Sequence, residues 1–171
     1  MTRAELEDAL ITWAAGQLAP DGGRAILADQ NGPRPALPFA TVKITATPTF
    51  SDPNVSPPDD YGDAIITFDH TAMVSVQVYG GDAAGLAERL FRSLGRETVR
   101  EALRAAGLAF ADWLTPVNDT TQVVATENEP RFGFDARFVY SAEITDQVGV
   151  IEHVEATATL DGVDHAVQIG A

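Results

Sequence analysis

The chain has 171 residues, of which 45% are hydrophobic and 21% are charged, and its 11 basic and 25 acidic side chains give a formal net charge of -14. This profile predicts one soluble globular domain that does not grip nucleic acid, because phosphate binding requires clustered Lys and Arg. The absence of cysteine excludes disulfides, thiolate catalysis, cysteine zinc sites and iron–sulfur clusters, while short apolar runs and the lack of a signal pattern predict a cytoplasmic chain without a membrane span.

The first part of the chain predicts an amphipathic helix followed by two strands. Thr2 and Glu5 have the spacing of a capping box, and apolar residues at three- and four-residue steps then predict a helix over 3–18. A short apolar strand is expected at 25–28. After a rigid, proline-rich loop, alternating apolar and polar residues predict a half-buried strand over 39–47.

The middle of the chain predicts a loop, a long strand and two helices. Residues 48–62 hold four prolines and three acids, so they predict a long, mobile loop. Alternating apolar residues then predict a strand over 64–79. Asp82 is a suitable N-cap for an amphipathic helix, and a second helix is expected over 97–106, ended by Gly107.

The last third predicts the strands that complete a sheet. Residues 108–114 predict a strand or turn, and the clean alternation over 131–145 predicts a long strand. Residues 150–160 predict its antiparallel partner, whereas 161–171 has no strong pattern and is expected to be a C-terminal tail. Because the helices fall in blocks between runs of strands, the predicted class is α+β, an antiparallel or mixed sheet with the N-terminal helix and the central helix pair on one face. We therefore expect a single domain over 1–160.

The sequence predicts neither an enzyme nor a metal or cofactor site. The glycine-rich turn before the second predicted helix would repel a phosphate, because Asp82 places its own carboxylate at the helix N-terminus. The three histidines are scattered along the chain, without the close spacing of a metal pair. Asp59, Asp60 and Asp63 lack the alternating ligand pattern of a calcium loop, so they predict a solvated acidic loop.

A row of arginines recurs every three or four residues through the two central helices and shares one face if these helices are nearly continuous. The row consists of Arg89, Arg92, Arg96, Arg100 and Arg104. One interpretation is pairing within a helix, such as Glu88 with Arg92, which contributes about 0.2–0.5 kcal/mol. The other is that this stripe meets the acidic loop or the C-terminal third of another copy, giving a head-to-tail contact that closes into a ring. Both interpretations stay open at this stage.

Three stretches of the chain resemble a known family. They are the segment DQNGPRPALPF at 29–39, the strand end VQVYG at 76–80, and the run 129–152 that contains EPRF, YSAE and VIE. In this order, over roughly 5–160, they resemble the tail terminator, or neck terminator, family of tailed bacteriophages. The 48–62 loop and the residues after Leu160 lie outside the likeness.

The resemblance implies a structural virion protein without catalytic residues. Such proteins form a ring, commonly of six subunits, at the head-proximal end of the tail tube, where the ring stops tube growth. The implied partners are other copies of the chain, the tail tube protein and a head-completion or connector protein, while DNA passes through the channel without specific binding. The expected location is the tail or neck of the virion, assembled in the cytoplasm of a host bacterium, with no role for a membrane.

A candidate interface with partners or neighbouring subunits combines charged residues from three places in the sequence. It consists of Arg34, Asp59, Asp60, Asp63, Arg89, Arg92, Arg96 and Arg100. The alternative functions are a head-completion or neck connector protein, a tail-tube component and, more remotely, a small cytoplasmic enzyme or ligand-binding domain. A thermal shift with a small ligand would indicate the last of these.

Overall fold

A computed structural model describes residues 1–124, 127–149, 153–160 and 163–170 of the chain. Helices alternate with runs of strands, and a short 3₁₀ turn (Ala19–Asp21) follows the first helix. In chain order the elements are α1 (Arg3–Leu18), β1 (Arg24–Leu27), β2 (Phe39–Ala46), β3 (Asn54–Val55), β4 (Asp63–Tyr79), α2 (Ala83–Ser93), α3 (Glu97–Ala105), β5 (Leu108–Trp113), β6 (Asn118–Asp119), β7 (Gln122–Val124), β8 (Glu127–Glu129), β9 (Arg131–Gln147), β10 (His153–Leu160) and β11 (Val163–Gly170).

Helix α1 begins at the predicted capping box. The Glu5 amide donates to the Thr2 hydroxyl oxygen at 3.3 Å, and the Thr2 amide donates to a Glu5 carboxylate oxygen at 2.7 Å. These bonds satisfy amides that have no partner inside the helix. The buried face of α1 consists of Leu6, Leu10, Trp13, Ala14 and Leu18. The predicted span of the first helix is therefore confirmed.

The main sheet is mixed and largely antiparallel, with the strand order β1-β2-β4-β9-β5, while β3 pairs with β4 and β6 pairs with β9. Strands β1 and β2 are parallel, with Arg24 opposite Phe39. Strand β2 pairs antiparallel with β4, where Phe39 lies opposite Tyr79, and β5 pairs antiparallel with β9, where Leu108 lies opposite Tyr140. The α+β class is therefore confirmed.

Alternation along the strands buries one face of this sheet under the helices. The sheet contributes fully buried valines and phenylalanines, and the helices contribute leucines from their apolar faces. The largest of these buried side chains are Val42, Val74, Val76, Val78, Phe134 and Phe138 from the sheet and Leu6, Leu10, Leu18, Leu90 and Leu94 from α1, α2 and the C-cap of α2. Burial of one such side chain contributes about 1.5–3 kcal/mol to stability.

The predicted helix pair is present, but α2 and α3 are not continuous. Arg96, the N-cap of α3, has an extended backbone with φ -84° and ψ 131°. The Gly95 amide donates to the Arg92 carbonyl, and the Arg96 amide donates to the Ser93 carbonyl, each at 3.0 Å, so the chain turns between the helices. The condition under which all five arginines share one helical face is not met.

The loop predicted over 48–62 is present for most of its length, but it contains one isolated bridge and the two-residue strand β3. The Thr71 amide donates to the Pro48 carbonyl at 2.9 Å, and Thr49 forms an isolated bridge to His70. Further along, β3 pairs antiparallel with β4, where Asn54 lies opposite Thr67. Four prolines concealed this pairing, because they remove amide donors and interrupt the alternation that identifies a strand.

The expected partner of the long strand β9 is also corrected. The predicted strand over 150–160 is present as β10, but it pairs antiparallel with β11, from His153 opposite Gly170 to Leu160 opposite Val163. Strand β11 occupies most of the segment 161–171, for which the sequence pattern indicated only a tail. Residues 150–152 lie outside the described residues, and the prediction of a single domain over 1–160 stays a prediction.

Contacts within the chain divide it into two compact units. The core unit consists of Met1–Asp52 and Phe68–Ala142. The acidic unit consists of Pro53–Thr67 and Glu143–Ala171. The buried hydrophobic cluster that joins the helices to the sheet belongs to the core unit.

Candidate functional site

Two arginines of α2 form ion pairs within the chain. A guanidinium nitrogen of Arg89 contacts the Asp21 carboxylate, and this hydrogen bond raises the pKa of Arg89 above its usual range. Arg92 contacts Glu88 at 2.9 Å, which is the i+4 pair that one interpretation of the arginine row predicts. Because these contacts lie on the protein surface, each contributes little to stability.

Arg100 and Arg104 of α3 contact other side chains, whereas the side chain of Arg96 at the N-cap does not contact a charged or hydrogen-bonding partner among the described residues. The Arg100 guanidinium lies 5.3 Å from the centre of the Phe110 ring, and Arg104 contacts Glu97 at 2.8 Å. The exposed Arg96 side chain makes no ion pair or hydrogen bond with the described residues. Arg96 therefore has a guanidinium available for a partner.

Arg34, also predicted as an interface residue, lies apart from this row and is held inside the core unit. Its guanidinium contacts the Glu129 carboxylate and lies 5.2 Å from the Phe39 ring centre and 5.8 Å from the Tyr79 ring centre. The two rings stack with their centres 4.7 Å apart. These contacts fix the proline-rich segment 29–38 against the sheet, so Arg34 has a structural role that its position in a loop did not reveal.

A polar network covers part of the sheet face opposite the helices. The Gln77 amide oxygen accepts from Nε of Arg131 at 3.1 Å and from the hydroxyl of Thr120 at 3.0 Å. A Cβ at Gly133 would lie 2.4 Å from the Gln77 amide, so glycine leaves the space that this network occupies. The network joins β4 and β9 to the segment that follows β6.

The predicted acidic residues form a turn in the acidic unit. One carboxylate oxygen of Asp59 accepts from the amide of Tyr61 at 2.9 Å and from the amide of Asp63 at 3.0 Å. Gly62, at φ +83°, completes this turn in a conformation that favours glycine. Asp59 thus shapes the turn, while Asp60 and Tyr61 are exposed at its tip.

Charge is distributed very unevenly between the two units. All 11 basic side chains belong to the core unit, where 16 acidic side chains accompany them, whereas the acidic unit has nine acidic residues and no Lys or Arg. These nine residues are Asp59, Asp60, Asp63, Glu143, Asp146, Glu152, Glu155, Asp161 and Asp164.

The acidic unit also exposes large apolar side chains. Its described side chains include an 83% exposed tyrosine and aliphatic residues that are about half exposed. They are Val55, Tyr61, Ile65, Ile144 and Val148. Because these apolar side chains are exposed in a unit that also carries nine acids, they are candidates for a contact surface.

A groove between α1 and α3 of the core unit has a volume of about 570 Å³. Trp13, Val99 and Leu103 form its apolar floor, and Gly16 and Ala102 belong to its exposed walls. The sequence pattern did not predict this groove. Small residues at exposed positions of two amphipathic helices were the signal that could have identified it.

Within the described residues, no group of three or more histidines and carboxylates is arranged to hold a metal ion, and no helix is long and apolar enough to cross a membrane. His70 stacks on Tyr140 with ring centres 5.2 Å apart, and its ring contacts the Thr49 hydroxyl at 3.1 Å. Its described contacts are therefore packing and hydrogen bonding inside the core unit.

Comparison with known proteins supplies the context for these surfaces. A family model described as phage neck terminator protein matches residues 4–163. The matched range begins in α1 and reaches the first residue of β11, so it includes most of the chain. A search of curated proteins gave no match.

Proposed function

Because the chain belongs to the phage neck terminator protein family, we propose that it forms a ring at the head-proximal end of the tail tube and stops tube polymerisation there. Members of this family are structural proteins of the tail and neck, and the chain has that role in the virion. The match over residues 4–163 is the observation that carries the proposal.

The proposed mechanism is interfacial, with no catalytic step. Among the described strands, β1 and β5 each pair on one side only, so their outer edges carry backbone groups that another chain would pair with. A strand of a neighbouring subunit or of the tube protein would extend the sheet at such an edge. A subunit bound in this way caps the tube and presents its other surfaces to the head-completion or connector protein.

The negative net charge of the chain is consistent with a ring channel through which DNA passes without binding. A ring of copies that each carry a formal charge of -14 surrounds its channel with negative potential, which repels the phosphate backbone. DNA would then move through the ring without specific binding. The proposed ring has six subunits and is assembled in the bacterial cytoplasm before the head joins the tail.

The proposal is tested by deleting the gene from its phage genome and imaging the particles by electron microscopy. We expect overlong tube polymers and unjoined heads, because nothing would stop the tube or connect it. Restoring the gene on a plasmid should restore tails of normal length, which excludes an effect on neighbouring genes.

Two other outcomes would replace the proposal. Tails of normal length without heads would indicate a connector role, and particles without any tube would indicate a tail-tube component. Normal infectious particles would contradict a virion role, and screening the purified protein for a ligand-dependent thermal shift would then test the enzyme or ligand-binding alternative.

A further inference from the structure

The groove between α1 and α3 has room for another protein segment. Its floor is apolar, and the exposed residues along its sides have small side chains. They are Thr12, Gly16, Ala102 and Ala106. Small side chains on facing helices leave room for a third element to approach closely, because the depth of such a groove depends on the size of the side chains beside it.

Gly16 is not explained by packing against the described residues of the chain. Glycine in the interior of a helix destabilises it by roughly 0.5–1 kcal/mol relative to alanine. A Cβ added at Gly16 would meet nothing within 4 Å, so neither α3 nor the sheet requires a glycine there. The space beside Gly16 is open, and an incoming segment would occupy it.

One end of the groove is basic. Arg96 lines the groove and also lines an adjoining depression with Arg89 and Arg92. Arg89 and Arg92 already contact Asp21 and Glu88, whereas Arg96 has no partner among the described residues. An apolar segment followed by carboxylates would therefore complement the groove and its basic end.

We propose that the acidic unit of a second copy occupies this groove. Its described residues combine the exposed apolar side chains of Val55, Tyr61 and Ile65 with the carboxylates of Asp60 and Asp63. The acidic unit contains no Lys or Arg, so its carboxylates are attracted to Arg96. Glu5 and Asp8, from the first half of α1, also line the groove, so the complementary charge is confined to the end at Arg96.

The contact joins different surfaces of two copies, so it repeats from subunit to subunit and closes into a ring if the rotation between neighbours permits. This inference rests on the ring proposed above and identifies the surfaces that join its subunits. In this contact the basic surface is not a continuous arginine row. It is the end of the groove at Arg96, whose guanidinium would bind the carboxylates of the neighbouring copy.

Crosslinking in assembled particles tests the contact directly, because the natural chain has no cysteine. Gly16→Cys places a thiol where the groove is open, and Val55→Cys places one on the 55% exposed valine of the acidic unit. Particles complemented with the double variant and treated with a short bismaleimide should yield a ladder of covalent oligomers that ends at the closed ring. Thr45→Cys combined with Val55→Cys is the matched control, since the exposed Thr45 lies on the inner strand β2, on the sheet face opposite the helices.

The alternative arrangements give distinct results. Linkage in the Gly16→Cys single variant would indicate that grooves face each other, and it would overturn the inference. Absence of linkage in double-variant particles that contain the protein would also overturn it, while the ring itself would stand. Particles that assemble normally without the gene would instead contradict the proposed function.

A second measurement uses variants that fill or recharge the groove. Gly16→Leu should reduce head–tail joining at least about tenfold, whereas Gly16→Ala, which adds one methyl to the same open space, should change it little. Arg96→Asp should reduce joining, and Asp60→Arg in the same chain should restore part of the loss. Circular dichroism checks that each variant is folded, and full activity of a folded Gly16→Leu variant would contradict occupation of the groove.

Discussion

The core unit and the acidic unit use their side chains in different ways. In the core unit, apolar residues pack between helices and sheet, and most of the described charges have a partner, such as Arg137 with Asp112. In the acidic unit, exposed apolar residues stand beside carboxylates, and no basic residue is present to neutralise them. The buried apolar packing of the fold therefore lies in the core unit, and the acidic unit carries the surface that we propose as a partner contact.

The sharpest test of this contrast compares two positions on strand β9. Phe138 is fully buried against Trp13 and Phe110, so Phe138→Ala should lower the free energy of unfolding by about 3–5 kcal/mol. Ile144, 53% exposed in the acidic unit, is the matched position, and Ile144→Ala should change the value by less than about 0.5 kcal/mol. Urea denaturation followed by circular dichroism measures both, and equal losses would contradict the contrast.

The polar network of the core unit should give the next largest effect. Gly133→Ala forces the Gln77 amide away from Arg131 and Thr120, which should cost about 1–3 kcal/mol of stability. In a double-mutant cycle, Gly133→Ala should cost less in the Gln77→Ala background, where the obstructing amide is absent. Strict additivity of the two changes would show that Gly133 is not there to accommodate Gln77.

Substitution of a glycine in the acidic unit tests whether this unit can open locally while the core unit stays folded. Gly62 has φ +83°, and a Cβ there would lie 2.7 Å from the Gly149 Cα, so Gly62→Ala should strain the turn by about 1–3 kcal/mol. Hydrogen exchange should then accelerate at the amides of 53–67 and 143–149. Core amides such as those of β2 should keep their protection, and a uniform loss would indicate that the chain opens as one unit.

The smallest predicted effect concerns a carboxylate of the core unit that has its own partners. Hydrogen bonds from the Thr2 backbone and side chain lower the pKa of Glu5 from its ordinary value of 4.5. Because the pKa of Glu5 is lower in the folded state, its ionised carboxylate stabilises the fold fully at pH values above the unfolded-state pKa. This stabilisation is lost as the pH falls through the folded-state pKa. Glu5→Gln should therefore flatten the acid limb of the stability profile, and an unchanged limb in urea titrations at successive pH values would contradict the assignment.

The sequence predicted the regular parts of this fold because local signals agree with tertiary packing there. The capping box at Thr2 and the Asp82 N-cap, whose carboxylate accepts from the Gly85 amide, both occur where they were predicted. Strand β4 was equally clear, since its alternating valines reflect one buried face. Such elements are specified by periodicity and capping, which depend on residues close in sequence.

Most parts that escaped prediction depend on residues far apart in sequence. The β10–β11 pair is the exception, because only Asp161-Gly162 separates the two strands in the sequence, and an Asp-Gly pair between alternating runs is a local signal for a two-residue hairpin. By contrast, the pairing of Arg34 with Glu129 joins positions 95 residues apart, and the groove forms where α1 and α3 meet. The arginine row does not share one helical face, since the extended residue Arg96 separates α2 from α3.

The positions of the aromatic residues determine which of the two units contributes to the intrinsic fluorescence of the protein. Both tryptophans belong to the core unit, where Trp13 donates to the Ser93 hydroxyl at 3.0 Å and Trp113 stacks on Phe91 with ring centres 5.1 Å apart. The acidic unit has neither tryptophan nor phenylalanine, and its one tyrosine, Tyr61, is 83% exposed. A melting curve recorded by tryptophan emission therefore reports on the core unit alone, and unfolding of the acidic unit would pass unrecorded unless a tryptophan were introduced there as a reporter.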